Sequence, residues 1–258
     1  MQKPTKLSVI VETLNAELNV SAYSDSAHNG LQIESMTPDI SRVGFAVDSG
    51  LSILEQAVQR QCQLLVVHHG LLWGQSEPIV GRWAQKLSLC LTRGLSVYAS
   101  HLPLDGHTTL GNAAVLAKSV LGAVDIRSAF DYHGATIGVT ATLPSPVALT
   151  SIVEQLGACD GALDPVLVLP FGKTTISSIG IATGSATFLI PTAARMGLDL
   201  FITGEPKQQA YHEAKELGLS VVCMGHYGSE TFGVRALQRI LTERFGVQTE
   251  WIDEPTGI

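Results

Sequence analysis

With 258 residues, 45% of them hydrophobic and only 15% charged, the chain has enough apolar surface to bury a large core, in one domain or two, and cannot remain disordered. A formal charge of −7 argues against a surface that holds nucleic-acid phosphates or anionic membrane lipids. Cys62, Cys90, Cys159 and Cys223 form no close pair, which speaks against a zinc ribbon or a disulfide framework and for reduced thiols.

In chain order, residues 7–18 carry apolar side chains at helical spacing, with Asn15 and Asn19 near the end. This start is an amphipathic helix rather than a long apolar signal core. No apolar run reaches the roughly 20 residues of a membrane helix. A cytoplasmic protein with no membrane or nucleic-acid partner is therefore expected. The polar stretch 24–30 reads as a loop and residues 31–34 as a short strand. From Val43 onward, short apolar strands alternate with helical patterns, as in parallel sheets made of βαβ units. Cys62 and Cys90 fall in predicted helices and Cys223 in a predicted strand. A helix is predicted over 110–121, a final helix over 230–245, and an edge strand over 247–252.

Residues 43–70 (VGFAVDSGLSILEQAVQRQCQLLVVHHG) and 179–206 (IGIATGSATFLIPTAARMGLDLFITGEP) align without a gap. Each reads as a strand, a Ser-containing turn, a helix, a second strand and a polar tip. A third strand follows in both, opening with Gly-Leu-Ser-Val at 94–97 and again at 218–221. Any two βαβ units look alike at this level, but the shared tetrapeptide favours an internal duplication. The expected fold class is α/β, with two related domains of mostly parallel sheet flanked by helices. The first half comprises 1–128 plus 219–258 and holds most candidate ligands; the second comprises 129–218. Pro144-Ser145-Pro146 and Asp164-Pro165 lie in the stretch between the repeats.

Parallel α/β sheets bind ligands beyond the carboxyl ends of their strands. The strand at 64–67 ends in His68-His69-Gly70, and the strand at 95–99 leads to His101 and Asp105. The strand at 219–224 leads to His226 and Glu230. Adjacent residues on a strand point to opposite faces, so His68 and His69 suit two ions side by side better than one ion. Imidazole and carboxylate ligands fit Zn, Fe, Mn or Co. The plainer alternatives are a helix-terminal carboxylate for Glu230 and a helix cap for Asp105, although Thr108 or Thr109 is better placed to cap. His101 could orient a ligand or contact substrate. Glu205, at the tip matching His69, could orient a ligand or act as a general base. His107 reads as a surface residue, and His133 and His212 have no supporting context. Residues 180–185 form a generic strand-to-helix turn rather than a phosphate loop.

Asn29-Gly30-Leu31-Gln32, Val67-His68-His69-Gly70, His101-Leu102-Pro103-Leu104-Asp105, Thr203-Gly204-Glu205 and Gly225-His226-Tyr227-Gly228-Ser229-Glu230 together resemble the Nif-three-like dinuclear-metal family. Its members are often called GTP cyclohydrolase type two homologues. The likeness spans residues 7–252 in the order expected of the short bacterial form. It implies two intertwined α/β domains and a toroidal homohexamer. It also implies two divalent metal ions per chain, with His68, His69, Asp105 and His226 as terminal ligands and Glu230 as the bridge. His69 and Asp105 would serve one ion, and His68 and His226 the other.

A pair of ions about 3.5–4 Å apart lowers the pKa of a shared water and neutralises a developing oxyanion, which is hydrolytic chemistry. The cyclohydrolase form of that reaction attacks C8 of a purine, with His101 or Glu205 as proton carrier. A metallophosphoesterase and a metal-delivery protein without catalysis are the rival readings for the same residues.

Overall fold

The computed structural model describes residues 4–74 and 78–258. The elements come in the order β1 (Thr5–Lys6), α1 (Leu7–Glu17), β2 (Gly30–Ile33), β3 (Asp39–Ile40), β4 (Arg42–Ala46), α2 (Leu51–Gln59), β5 (Leu64–Val67), α3 (Gly81–Arg93), β6 (Ser96–Ala99) and α4 (Leu102–Asp105). Next are α5 (Asn112–Ser119), β7 (Val124–Tyr132), β8 (Ala135–Ala148), α6 (Leu149–Gly157), β9 (Leu167–Pro170), β10 (Thr175–Ile181) and α7 (Ile190–Arg195). The chain closes with β11 (Leu200–Thr203), α8 (Gln208–Leu217), β12 (Ser220–Cys223), α9 (His226–Phe245) and β13 (Gln248–Trp251). Among the described residues no helix is long and apolar enough to cross a membrane.

The chain divides into two compact units, one of residues 1–104 and 234–254 and one of residues 105–233 and 255–258. In unit 1 a five-stranded sheet runs β13-β4-β5-β6-β2, parallel except for β2. Its central strand β5, Leu-Leu-Val-Val, is buried on both faces, as a parallel sheet covered by helices requires. Ile53, Leu54 and Ala57 of α2 lie in the same buried cluster as Leu65, Val67, Val97 and Ala99. As expected from the sequence, β13 is an edge strand.

Unit 2 holds a six-stranded sheet in the order β7-β8-β10-β11-β12-β9. Only β10-β11 and β11-β12 pair in parallel; the other neighbours are antiparallel. The mostly parallel arrangement expected of both halves therefore describes unit 1 but not unit 2, where long hairpin strands flank a parallel centre. The domain boundaries also differ from 1–128 plus 219–258 and 129–218. Residues 105–128 and 219–233 belong to unit 2, because β12 is hydrogen-bonded between β11 and β9 and α5 packs on β7 and β8.

Both units contain a strand–helix–strand–helix–strand run, β4 to β6 and β10 to β12. The ordinary requirements of βαβ packing account for that shared order. The repeated Gly-Leu-Ser-Val has an equally local cause. Gly94 and Gly218 end α3 and α8 in the left-handed region, at φ of 70° and 62°. Ser96 and Ser220 then open the next strand, their hydroxyls accepting the backbone N–H of Ser35 and Gly172. Two other expectations shift: Cys62 lies in the turn after α2 rather than in a helix, and α9 begins at His226, four residues before the expected start.

Replacing Gly218 by Ala should lower stability by about 1 kcal/mol, the strain of a left-handed non-glycine residue. Gly94→Ala should lose more, because its Cβ would also press on the Thr37 hydroxyl. Urea midpoints of the two variants would check the ranking, and equal losses would contradict it.

Candidate metal centre

In unit 1 the ends of three adjacent parallel strands carry the chemistry. The backbone N–H groups of His68 and His69, just past β5, both donate to the Val47 carbonyl past β4. Their imidazoles then part toward the strands on either side. His68 Nδ1 lies 2.9 Å from the Ser100 carbonyl, past β6, and His69 Nδ1 lies 2.8 Å from Asp48 Oδ1, past β4. His101 is held from the loop before β2: its backbone N–H donates to Asn29 Oδ1 at 2.7 Å, and its Nδ1 sits 3.0 Å from Asp25 Oδ2.

Each of these acceptors is an oxygen without a proton, so each Nδ1 must donate, and in a neutral ring the lone pair falls on Nε2. Ligand nitrogens of His68, His69 and His101 lie within 4.8 Å of one another, and the group could hold a metal ion. Burial alone would push the Asp25 carboxyl up. Hydrogen bonds from His101 and Asn29, and the charge of His101, hold it well below the usual carboxylate range instead.

Unit 2 repeats the arrangement with carboxylates. Gly184 past β10, Glu205 past β11 and His226 past β12 come from neighbouring parallel strands. His226 Nδ1 lies 3.0 Å from Glu205 Oε2, and its Nε2 lies 3.3 Å from Glu230 Oε2 one helical turn on. Because α9 starts at His226, the two side chains share one helix face, which a start at Glu230 would not have given. The Ser229 hydroxyl accepts the Gly184 N–H at 3.0 Å and donates to the His226 carbonyl at 2.9 Å. Gly184 (φ 62°) must be glycine on two counts, since a Cβ there would overlap the Glu230 carboxylate. The turn at 180–185 thus gives its amide to Ser229 and acts as a tight βα turn.

Asp105 is buried, and one of its oxygens accepts from Asn112 Nδ2 at 2.9 Å and from Thr183 Oγ1 at 3.0 Å. Neither Thr108 nor Thr109 caps α5: its N-cap is Gly111, and the His107 ring accepts the amides of Thr109 and Leu110. Asp105 and Glu230, 7% and 3% exposed, offer carboxylate oxygens within 4.8 Å of each other. Two buried carboxylates this close repel unless a cation neutralises them. Burial lowers the His226 pKa, but hydrogen bonds and charge from Glu230 and Glu205 outweigh it and raise the pKa to about 9. Surroundings that hold a proton so strongly attract a metal cation for the same reason. The donors are imidazole and carboxylate with no thiolate, a set that suits Zn, Fe, Mn or Co.

A profile of the Duf34/NIF3 family (NGG1p interacting factor 3) matches residues 5–256. The chain belongs to this family. Among Duf34/NIF3 relatives, a "GTP cyclohydrolase 1 type 2 homolog" of Archaeoglobus fulgidus is 38% identical over 252 residues, covering 98% of this chain and 99% of the relative. One of the same name from Deinococcus radiodurans is 36% identical, covering 96% and 93%. The solved structure of TTHA1606 from Thermus thermophilus matches with a TM-score of 0.89 at 37% identity, over 98% of this chain and all of that one. A structure titled protein ybgI, of unknown function, matches with a TM-score of 0.90 at 32% identity and similar coverage.

Within unit 1 the structure brings together His68, His69 and His101; within unit 2, His226 lies beside Glu205 and Glu230, and Asp105 beside Glu230. His133 and His212 are exposed and stand apart. Sequence reading passed over Asp25, Asp48, Asn112 and Thr183. Asp48 was detectable, because it follows β4 as His69 follows β5. Asp25 was not, because a loop carboxylate carries no periodic signal.

Replacing Asp48 by Ala should weaken divalent-ion binding by about 10–100-fold with the fold intact, since an orienting partner of a ligating histidine is lost. Titration against a chelator would measure it; an unchanged affinity would mean that His69 needs no such partner. His133→Ala should leave affinity unaltered.

Proposed function

We propose that this chain is a metal-dependent hydrolase holding two divalent ions, acting on a nucleotide or a related small molecule. His68, His69, Asp105 and His226 would hold the ions as terminal ligands, and the Glu230 carboxylate would be shared between them. The observation that carries this reading is the common state of the histidines. At His68, His69 and His226, Nδ1 is engaged by an oxygen from Ser100, Asp48 or Glu205, which aims Nε2 at a ligand. The pair of buried carboxylates, Asp105 and Glu230, supplies the negative charge that two cations require.

When bound, such ions supply an activated water and charge stabilisation. The chain's own residues do the rest. Asp25 takes up His101 Nδ1, which leaves Nε2 free for chemistry in a ring whose centroid is 5.2 Å from His68 and 5.7 Å from His69, so His101 is the group that carries a proton to or from the reacting atoms. Glu205, the alternative proton carrier, has Oε2 on His226 and Oε1 3.4 Å from Lys207 Nζ, so its part here is to orient His226. The names of the relatives support cyclohydrolase-like chemistry at a purine ring. Assembly as a toroidal homohexamer in the cytoplasm belongs to the same proposal, and light scattering giving a mass other than six chains would remove that part.

Protein purified without added metal should contain two divalent ions per chain by elemental analysis. Glu230→Ala should lose both with the circular dichroism unchanged, and Glu230→Gln, which keeps the buried volume, should lose them as well. Two ions per chain in both variants would sink the bridging role. Incubation with a nucleotide panel should give a ring-opened product. Phosphate release would point to a phosphoesterase instead, and exchangeable metal without any turnover to metal delivery.

A further inference from the structure

Unit 1 contains a cleft of about 770 Å³ between the loop after His69 and the α3 helix, within the size range of small-molecule sites. Its walls include Trp73, Ile79, Trp83 and Leu87, with Arg82 and Lys86 one helical turn apart on α3. No carboxylate lines it among the described residues, in a chain with 23 acidic and 16 basic side chains. The Lys86 ammonium donates to the Ser49 carbonyl at 3.0 Å. Burial first, and then the charge of Arg82, push its pKa below the ordinary lysine value. A bound anion would offset the charge of Arg82 and favour the charged ammonium.

The loop side of the cleft is firmly built. Gln32 Oε1 accepts the N–H groups of Leu71 and Leu72 at 2.6 and 3.0 Å, and Gly74 N–H donates to the Ser26 carbonyl at 2.7 Å. Trp73 Nε1–H donates to the Gly70 carbonyl at 2.8 Å, which fixes the indole in place. That indole is 40% exposed, and its ring also meets the histidine cluster, with centroids 5.0 Å from His101 and 6.1 Å from His69. The wall of the cleft is thus also the wall of the candidate metal centre in this unit.

We infer that this cleft is the substrate subsite for an anionic small molecule with a flat ring, the ring lying against the exposed face of Trp73 and its phosphate or carboxylate reaching Arg82 and Lys86. This rests on the hydrolase reading, because Trp73 would then present the ring beside His101. An aromatic ring gains from stacking on an exposed indole, and an anion gains from paired cations in a partly apolar wall. The two demands select a molecule bearing both groups, such as a mononucleotide, over a bare anion or a neutral base.

Calorimetric titration of the full chain with guanosine 5′-monophosphate, guanosine and inorganic phosphate tests this, with metal content measured in each sample. The monophosphate should bind more tightly than either fragment. The double variant Arg82→Gln/Lys86→Gln should weaken the monophosphate roughly tenfold or more, leaving guanosine and the metal content as they were. Trp73→Leu should weaken the monophosphate and guanosine alike. Monophosphate binding indifferent to Arg82 and Lys86, or to Trp73, overturns the inference, as does no binding of any probe. If ions are retained while the variants have no effect, the cleft is refuted and the metal reading stands. If the variants behave as stated in a chain that holds no ions, the metal reading fails and the cleft stands.

Discussion

A neutral imidazole has one lone pair, and the acceptor on its other nitrogen decides which side that pair faces. At His68, His69, His101 and His226 the deciding contact is the same: an oxygen of Ser100, Asp48, Asp25 or Glu205 takes up Nδ1. Without those oxygens the rings could turn, and a metal would have to order them itself at an entropic cost. The rest of the site follows from this constraint. Asp25 and Asn29, in the loop before β2, hold His101, and the Val47 carbonyl accepts two amides so that the two adjacent histidines can part toward different neighbours.

The fold makes the constraint easy to meet. Parallel strands bring their carboxyl ends to one edge, so a residue just past one strand finds its partner just past the next. Unit 1 does this with β4, β5 and β6, and unit 2 with β10, β11 and β12. Unit 2 adds the helical spacing of α9, which sets Glu230 one turn below His226. Buried carboxylates at Asp105 and Glu230 would by themselves oppose folding. Their hydrogen bonds from Asn112 and Thr183, and the imidazole of His226, offset part of that cost.

Much of this was legible in the sequence because apolar strands followed by polar tips are a strong local pattern. The βαβαβ runs, the edge position of β13 and the tip histidines all read directly from it. What the sequence hid was non-local. The strand at 220–223 looked like part of the first half because it leads to His226, yet its hydrogen bonds run to β11 and β9. The antiparallel flanks of unit 2 were missed because a hairpin strand and a crossover strand have similar composition. The repeated Gly-Leu-Ser-Val suggested common descent, but a left-handed helix end and a serine-pinned strand start ask for those residues at both places. The start of α9 differs because Gly225 and Gly228 suggest a loop, whereas Gly228 lies within the helix and is glycine because the Gly161–Ala162 backbone packs where a Cβ would stand.

Strand β13 bears on how the protein is made. Its residues 248–251 pair with residues 42–45 of β4, and Ile252 beside it is fully buried in the unit 1 core. During vectorial synthesis, β4 to β6 leave the ribosome long before their outer neighbour exists. The apolar side of β4 must then wait for almost the whole chain, with an open hydrogen-bonding edge. The sheet of unit 2, drawn from residues 124–223, closes earlier. A nascent chain that has emerged only as far as residue 247 should therefore carry the complete six-stranded sheet of unit 2 and a unit 1 sheet that still lacks its outer strand.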